Sequence, residues 1–149
     1  MRTVIQRVTH ASVTIDSMVK SSIGKGLLVL VGIGDDDTQE DIDWLVRKIA
    51  AMRIFDDSEG VMNLAVTDVE GEVMVVSQFT LMASCKKGNR PSYIKAAAPG
   101  FSIPMYGRFC ECMEASIGKP VATGEFGADM KVELLNDGPV TIVLDSKNR

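Results

Sequence analysis

The sequence predicts an α+β fold formed by residues 1–149 as one domain. Three observations lead there. Strand-like segments crowd the two ends of the chain, only two segments carry a helical apolar stripe, and the two kinds are grouped rather than strictly alternating. At 149 residues the chain is long enough to bury roughly two thirds of its unfolded surface in a single core.

Thr3 to Val8 is rich in β-branched residues, and Ser12-Val13-Thr14-Ile15-Asp16 alternates apolar with polar, so both read as strands. His10 falls between them as a turn residue. Met18 to Ile23 is a weaker strand ended by Gly24-Lys25-Gly26. Leu27 to Ile33 is continuously apolar apart from Gly32, as expected of a central strand covered on both faces. Asp35-Asp36-Asp37-Thr38 stops that strand and opens a helix. Asp37 or Thr38 is placed to cap it, with Glu40 or Asp41 completing a capping box. Ile42, Leu45, Val46, Ile49 and Met52 share one face of this helix, and Glu40, Asp43, Arg47 and Lys48 the other.

Asp56 to Gly60 reads as a turn, and Val73 to Val76 as a second buried strand running into Ser77-Gln78-Phe79. A loop rich in Lys, Gly and Pro follows from Ser84 to Pro91. The second helix is expected to start near Pro104, with Tyr106, Phe109, Cys110, Met113 and Ile117 facing inward and Gly118 and Pro120 closing it. Val121 to Leu144 reads as strands around a turn at Asn136-Asp137-Gly138-Pro139.

Composition narrows the function classes. Sixteen basic against twenty acidic residues give a net charge of −4, so no broad surface for nucleic acid is expected and any such contact must be local. The N-terminus lacks the apolar core of a signal peptide, and the longest apolar run, Gly26 to Gly34, is too short to span a bilayer. Cys85, Cys110 and Cys112 form no C-x-x-C pair, and their odd number argues against a disulfide framework. With a single histidine there is no zinc ligand set, and Gly24, Gly26, Gly32 and Gly34 do not form a dinucleotide-binding fingerprint. The expectation is a cytoplasmic protein without metal or cofactor.

Three segments carry chemistry, and each also has an ordinary structural reading. Asn136-Asp137-Gly138-Pro139 suits a hairpin turn. It also suits a cis Gly138–Pro139 peptide, cheap before proline at about 0.5–1 kcal/mol, which would turn consecutive carbonyls to one side as a rigid acceptor surface. Ser77-Gln78-Phe79-Thr80 is either a strand end tied off by polar side chains or an oxyanion-type pocket of backbone amides with Gln78. Ser77 and Thr80 are hydroxyl nucleophile candidates, but a hydroxyl needs an adjacent base, and His10 is the only histidine on offer. Lys86-Lys87-Gly88-Asn89-Arg90-Pro91 is a solvated loop or, against an acidic chain, a place for one or two phosphates.

Taken together these stretches closely resemble the D-aminoacyl-tRNA deacylase family. The likeness runs through Met1 to Val8, Gly26 to Gly32, Arg53-Ile54-Phe55, Val76 to Leu81, Arg90-Pro91-Ser92, Gly124 to Met130 and Asn136 to Thr141. The resemblance implies a mixed, largely antiparallel, barrel-like sheet with two main helices. It implies a homodimer in which Gly138-Pro139 of one subunit enters the other subunit's pocket beside Ser77, Gln78, Phe79 and Thr80. Arg7 matches the arginine that steadies the Gly-Pro loop. Phe126, Gly127, Ala128 and Met130 match the region that receives the terminal adenosine, and Lys86, Lys87 and Arg90 are placed to meet tRNA phosphates. The implied reaction is hydrolysis of the ester joining a D-amino acid to the end of tRNA, with mischarged glycine incompletely excluded. A non-catalytic dimer binding RNA ends is the alternative. The chain departs from the family pattern at Ser17-Met18, where a glycine-containing turn is usual, and at Asn89, where a second arginine is common.

Overall fold

In the computed structural model, which describes residues 1–149, the first strand organises the sheet. β1 (Arg2–Ile15) is antiparallel to three others. Its first half lies between β3 (Gly26–Gly32) and β8 (Lys131–Asp145), and its second half between β2 (Met18–Ile23) and β8. β6 (Glu72–Ser77) joins parallel to β3, and β7 (Ala122–Thr123) parallel to β6. Ser21 of β2 donates to the Thr123 carbonyl at 2.6 Å, so the mixed sheet curls until its ends meet in a nearly closed barrel. β4 (Phe55–Asp56) and β5 (Met62–Leu64) form a separate pair.

Two of the expected strand features do not hold. β1 does not break at His10. β8 accompanies it along its whole length, while its other neighbour changes from β3 to β2 between Val8 and Ala11. The strand changes partner rather than direction, so His10 lies exposed within it, opposite Leu135. Nor is Asn136–Pro139 a hairpin turn, because the residues on either side pair with the same strand in the same sense. It is a bulge. Arg7 alone lies between the paired residues Gln6 and Val8, whereas Asp137, Gly138, Pro139 and Val140 lie between Asn136 and Thr141.

The helices follow their apolar stripes. α1 (Gln39–Ala51) is capped at Thr38, whose N–H donates to the Asp41 carboxylate at 2.7 Å, and it buries Ile42, Leu45, Val46 and Ile49. α2 (Pro99–Ile117) buries Tyr106, Phe109, Cys110, Met113 and Ile117, and ends at Gly118 with φ 72°. It begins a turn and a half before the expected Pro104. Pro99 takes the first-turn position that suits proline, and Pro104 lies inside the helix, where the residue four before it is the exposed Gly100. Leu27, Val29 and Val31 of β3, with Val73 and Val75 of β6, pack against both helices. Leu28, Met74 and Val76 point into the barrel with Val8, Ala11, Val13 and Ile23.

The two ends of the chain are fastened together. The Met1 amine pairs with the buried Asp37 carboxylate, and donates to Ser146 Oγ at 2.9 Å. Lys147 Nζ reaches Asp41 at 3.0 Å. Burial alone would raise the Asp41 carboxyl, but hydrogen bonds from Ser146, the Thr38 N–H and Lys147 hold it below the usual carboxylate range. Cys85, Cys110 and Cys112 are free thiols, and no helix is long and apolar enough to cross a membrane.

The turn between β1 and β2 holds Asp16 at φ 50° and Ser17 at φ 64°. Both lie in the left-handed region, which suits glycine better than serine. Ser17→Gly should therefore raise the unfolding free energy by about 1 kcal/mol in urea titration. No gain, or a loss, would show that this turn carries no such strain.

Candidate active site

The site begins where the parallel pair β3–β6 ends, at Val31 beside Ser77. The Gln78 N–H donates to the Val31 carbonyl at 2.7 Å, adding one more rung. With φ −145° and ψ 80°, Gln78 then turns the chain into a short 3-10 turn, Phe79–Met82. Gly32 lets that turn lie on the end of β3, since a Cβ there would stand 2.9 Å from Leu81 Cβ and 3.1 Å from the Gln78 carbonyl oxygen. The first N–H groups of such a turn have no partner within it. Those of Phe79 and Thr80 take no acceptor elsewhere in the chain. Gln78 Nε2 donates to Thr80 Oγ1, and no histidine or carboxylate hydrogen-bonds to the hydroxyl of Ser77 or Thr80. His10, on β1, does not line the cavity described next.

A cavity of about 280 Å³ opens here. Ser77, Gln78 and Phe79 line it together with Phe126, Gly127, Ala128 and Met130, two groups that lie far apart in sequence. Val31, Ile33 and Val76 supply apolar lining from the ends of the two central strands. Phe126 is braced by Tyr106 of α2, with ring centroids 6.2 Å apart. Tyr106 Oη in turn donates to the Val75 carbonyl at 2.7 Å. Burial, aided by the neighbouring Cys110, pushes the Tyr106 phenol well above its ordinary range, so it remains a neutral donor. Thr80 is exposed beside the cavity rather than among its lining residues.

Three lining residues carry no site signal in the sequence: Ala97, just before α2, Ser102 in its first turn, and Val132 of β8. Asp129, within the Gly124–Met130 stretch, is the only carboxylate in the lining and pairs with Lys131 at 3.0 Å.

The structure keeps the other candidates apart from this cavity within one chain. Gly138 and Pro139 are exposed on the β8 bulge, and the bond between them is cis. The bulge is held from beneath by Arg7, which is 7% exposed. Arg7 Nε donates to the Asp137 carbonyl at 3.0 Å, and Nη1 to the Ile54 carbonyl at 2.7 Å. Asn136 Nδ2 bridges the neck of the bulge, donating to the carbonyls of Arg7 and Val140 at 3.0 Å each. Lys86, Lys87 and Arg90 lie on an exposed loop closed by the Ser84–Ser92 bridge, and none of the three has an acidic partner.

The site is a small, largely apolar cavity in a barrel-like α+β sheet, with free main-chain N–H groups at the end of two parallel strands beside it. The chain belongs to the D-Tyr-tRNA(Tyr) deacylase family, whose model matches residues 4–145. It is 69% identical over all 149 residues to D-aminoacyl-tRNA deacylase of Parabacteroides distasonis, spanning 99% of that protein. It is 64% identical, with the same coverage, to the protein of that name from Bacteroides thetaiotaomicron. Among solved structures, c-Myc DNA unwinding element binding protein superposes with a TM-score of 0.92 at 40% identity, over 97% of this chain and 98% of that one. A probable eukaryotic D-amino acid tRNA deacylase, 18% identical, superposes with a TM-score of 0.82 over 96% of this chain and 97% of that one, and so shares the fold.

Gly138 sits at φ 134°, and a Cβ there would meet Val140 Cγ2 at 2.8 Å and Arg7 Nη2 at 3.1 Å. Gly138→Ala should therefore lower the unfolding free energy by about 2 kcal/mol in denaturant titration. Wild-type stability would mean that the bulge is not pinned by Arg7.

Proposed function

We propose that this protein hydrolyses the ester between a D-amino acid and the 3′-terminal adenosine of tRNA, a chiral proofreading step, and that it does so as a cytoplasmic homodimer. The observation that carries the reading is the meeting of Ser77-Gln78-Phe79 with Phe126-Gly127-Ala128-Met130 around one cavity of nucleoside size. On this reading residues 1–149 act as one domain. The second group receives the adenosine, and the first receives the scissile ester.

An aminoacyl ester is already activated. Its hydrolysis needs placement and a stabilised oxyanion more than a strong base. The unpartnered N–H groups of Phe79 and Thr80 suit that role, with Gln78 beside them. Water attacks the carbonyl carbon, negative charge gathers on the carbonyl oxygen near those donors, and the ribose oxygen leaves. The adjacent 2′-hydroxyl of the ribose assists the attacking water. Thr80 then contributes its backbone, and its hydroxyl serves chiefly as the acceptor for Gln78.

Chirality is assigned to Gly138-Pro139 of the second subunit. An isolated chain exposes these residues on a rigid bulge away from its own cavity, which suits insertion into a neighbour. Discrimination by gripping the side chain is weak, about 1–3 kcal/mol per methylene, and would forbid a broad substrate range. A wall of main-chain carbonyls instead captures the α-amino group and clashes with an L side chain. Glycine, with no side chain to clash, is then incompletely excluded. The unpaired Lys86, Lys87 and Arg90 meet phosphates of the acceptor end, too few contacts for a steep salt dependence.

A 40%-identical relative bears the name of a nucleic-acid-binding protein, so binding without turnover is the rival reading. Single-turnover hydrolysis of D-tyrosyl-tRNA and L-tyrosyl-tRNA separates the two. The proposal expects rapid loss of the D ester alone, little change in His10→Ala and Thr80→Ala, and a rate at least about tenfold lower in Gln78→Ala. Binding of both esters with no cleavage of either would establish the rival. Loss of cleavage in Thr80→Ala alone would point to a covalent acyl-Thr80 route.

A further inference from the structure

We infer that Arg2 is a positioning residue for this reaction, holding in place through the Leu81 carbonyl the turn that carries Phe79 and Thr80. The inference rests on the deacylase reading above. The Arg2 side chain touches neither the cavity nor the Gly-Pro bulge.

Arg2 opens β1, with its backbone between Gly32 of β3 and Asp145 of β8. Its guanidinium forks. Nη1 donates to the Leu81 carbonyl at 2.7 Å, while Nε and Nη2 each donate to Asp145 Oδ2 at 3.1 Å. The fork lies in a neighbouring cleft with Met82 and Lys95, separate from the cavity lined by Ser77 and Phe79. Arg2 therefore acts on the site only through the turn it holds.

The turn needs such a hold. Its late carbonyls lack partners inside so short a helix. Its internal closure rests on the Leu81 N–H to Gln78 carbonyl bond at 3.2 Å and the Ala83 N–H to Thr80 carbonyl bond at 3.1 Å. Phe79 and Thr80 are themselves exposed; the Phe79 ring meets the Tyr93 ring edge-on with centroids 5.0 Å apart, but that contact does not fix the main chain at Thr80. Arg2 ties the turn to the end of β8, where Asp145 also accepts the Lys147 N–H at 2.9 Å. Burial raises the Asp145 carboxyl, but the Lys147 N–H and the Arg2 guanidinium more than offset it and hold it below its ordinary value. The anchor thus stays charged at neutral pH.

Only a planar fork bonds a carboxylate and a carbonyl at once in fixed geometry, so lysine is an incomplete substitute. The Arg2 side chain is 40% exposed, and a partly exposed ion pair contributes little to global stability. Removing the fork should leave the fold standing while the oxyanion donors drift. Rate is sensitive to such drift, since misplacement by about 1 Å costs up to about a hundredfold.

The experiment measures kcat and KM for D-tyrosyl-tRNA, with melting temperatures, in wild type, Arg2→Met, Arg2→Lys and Asp145→Asn. The expected result is a kcat about tenfold lower in Arg2→Met with KM within about twofold, partial recovery in Arg2→Lys, and a smaller loss in Asp145→Asn. Melting temperatures should stay within a few degrees. Wild-type kcat in Arg2→Met overturns the inference. So does a kcat loss that tracks the melting temperature across all three variants with no recovery in Arg2→Lys. A wild-type protein that cleaves no D ester overturns instead the functional reading on which the inference stands.

Discussion

The parallel pairing of β3 with β6 is the constraint on which the rest of the site depends. Both strands are buried on both faces, between the helices and the barrel interior, so their register from Gly26–Glu72 to Val31–Ser77 has no room to slip. Where they end together, Ser77, Gln78 and Phe79 emerge at a fixed place. The Gln78 N–H to Val31 carbonyl bond carries that order one residue past the strand. Polar groups at the carboxyl ends of parallel strands lie where open α/β sheets commonly bind ligands, and Ser77 to Phe79 occupy the corresponding place in this curled sheet.

A second ordered feature is built on β8, beside β1, by different means. β8 runs beside all of β1 yet carries Asp137 to Val140 as excess length opposite Arg7 alone. That excess is not a slack loop. A buried guanidinium satisfies the Asp137 carbonyl, and the Asn136 amide ties the neck to Arg7 and Val140. Leaving any of these three carbonyls without its donor would cost about 1–3 kcal/mol, which holds the bulge in one shape. One molecule thus has a cavity on one side and a rigid projection on another. That pairing gives the proposed dimer its logic.

Much of the fold is legible in the sequence because its signals are local. The stripe Ile42, Leu45, Val46, Ile49 and the stripe Tyr106, Phe109, Cys110, Met113, Ile117 both bury as spaced, and Leu27 to Val31 is a central strand as its unbroken apolar run requires. The errors occur where tertiary partners decide. His10 reads as a turn because two apolar runs flank it, yet β8 pairs along β1 on both sides of it, with a bulge at Thr9 and no turn. Asn136-Asp137-Gly138-Pro139 has the residues of a hairpin turn, and nothing local reveals that both flanks face β1. Pro104 and Pro99 both suit a helix start, and the choice rests on packing that brings Ala97 and Ser102 to the cavity. The site segments are individually visible. Their meeting across the sheet is implied only by the family resemblance, since strand spacing alone does not say that residues 77–79 and 126–130 share a wall.

The central claim is that main-chain donors at Phe79 and Thr80 receive the ester carbonyl of a D-aminoacyl adenosine. The most direct test is an NMR titration of the labelled protein with a non-hydrolysable D-aminoacyl adenosine, its ester replaced by an amide, and with the L enantiomer. The account predicts that the D compound shifts the amide resonances of Phe79, Thr80 and Phe126–Met130 most strongly, and that the L compound leaves Phe79 and Thr80 unmoved. Equal shifts from both enantiomers, or shifts centred away from these residues, would contradict it.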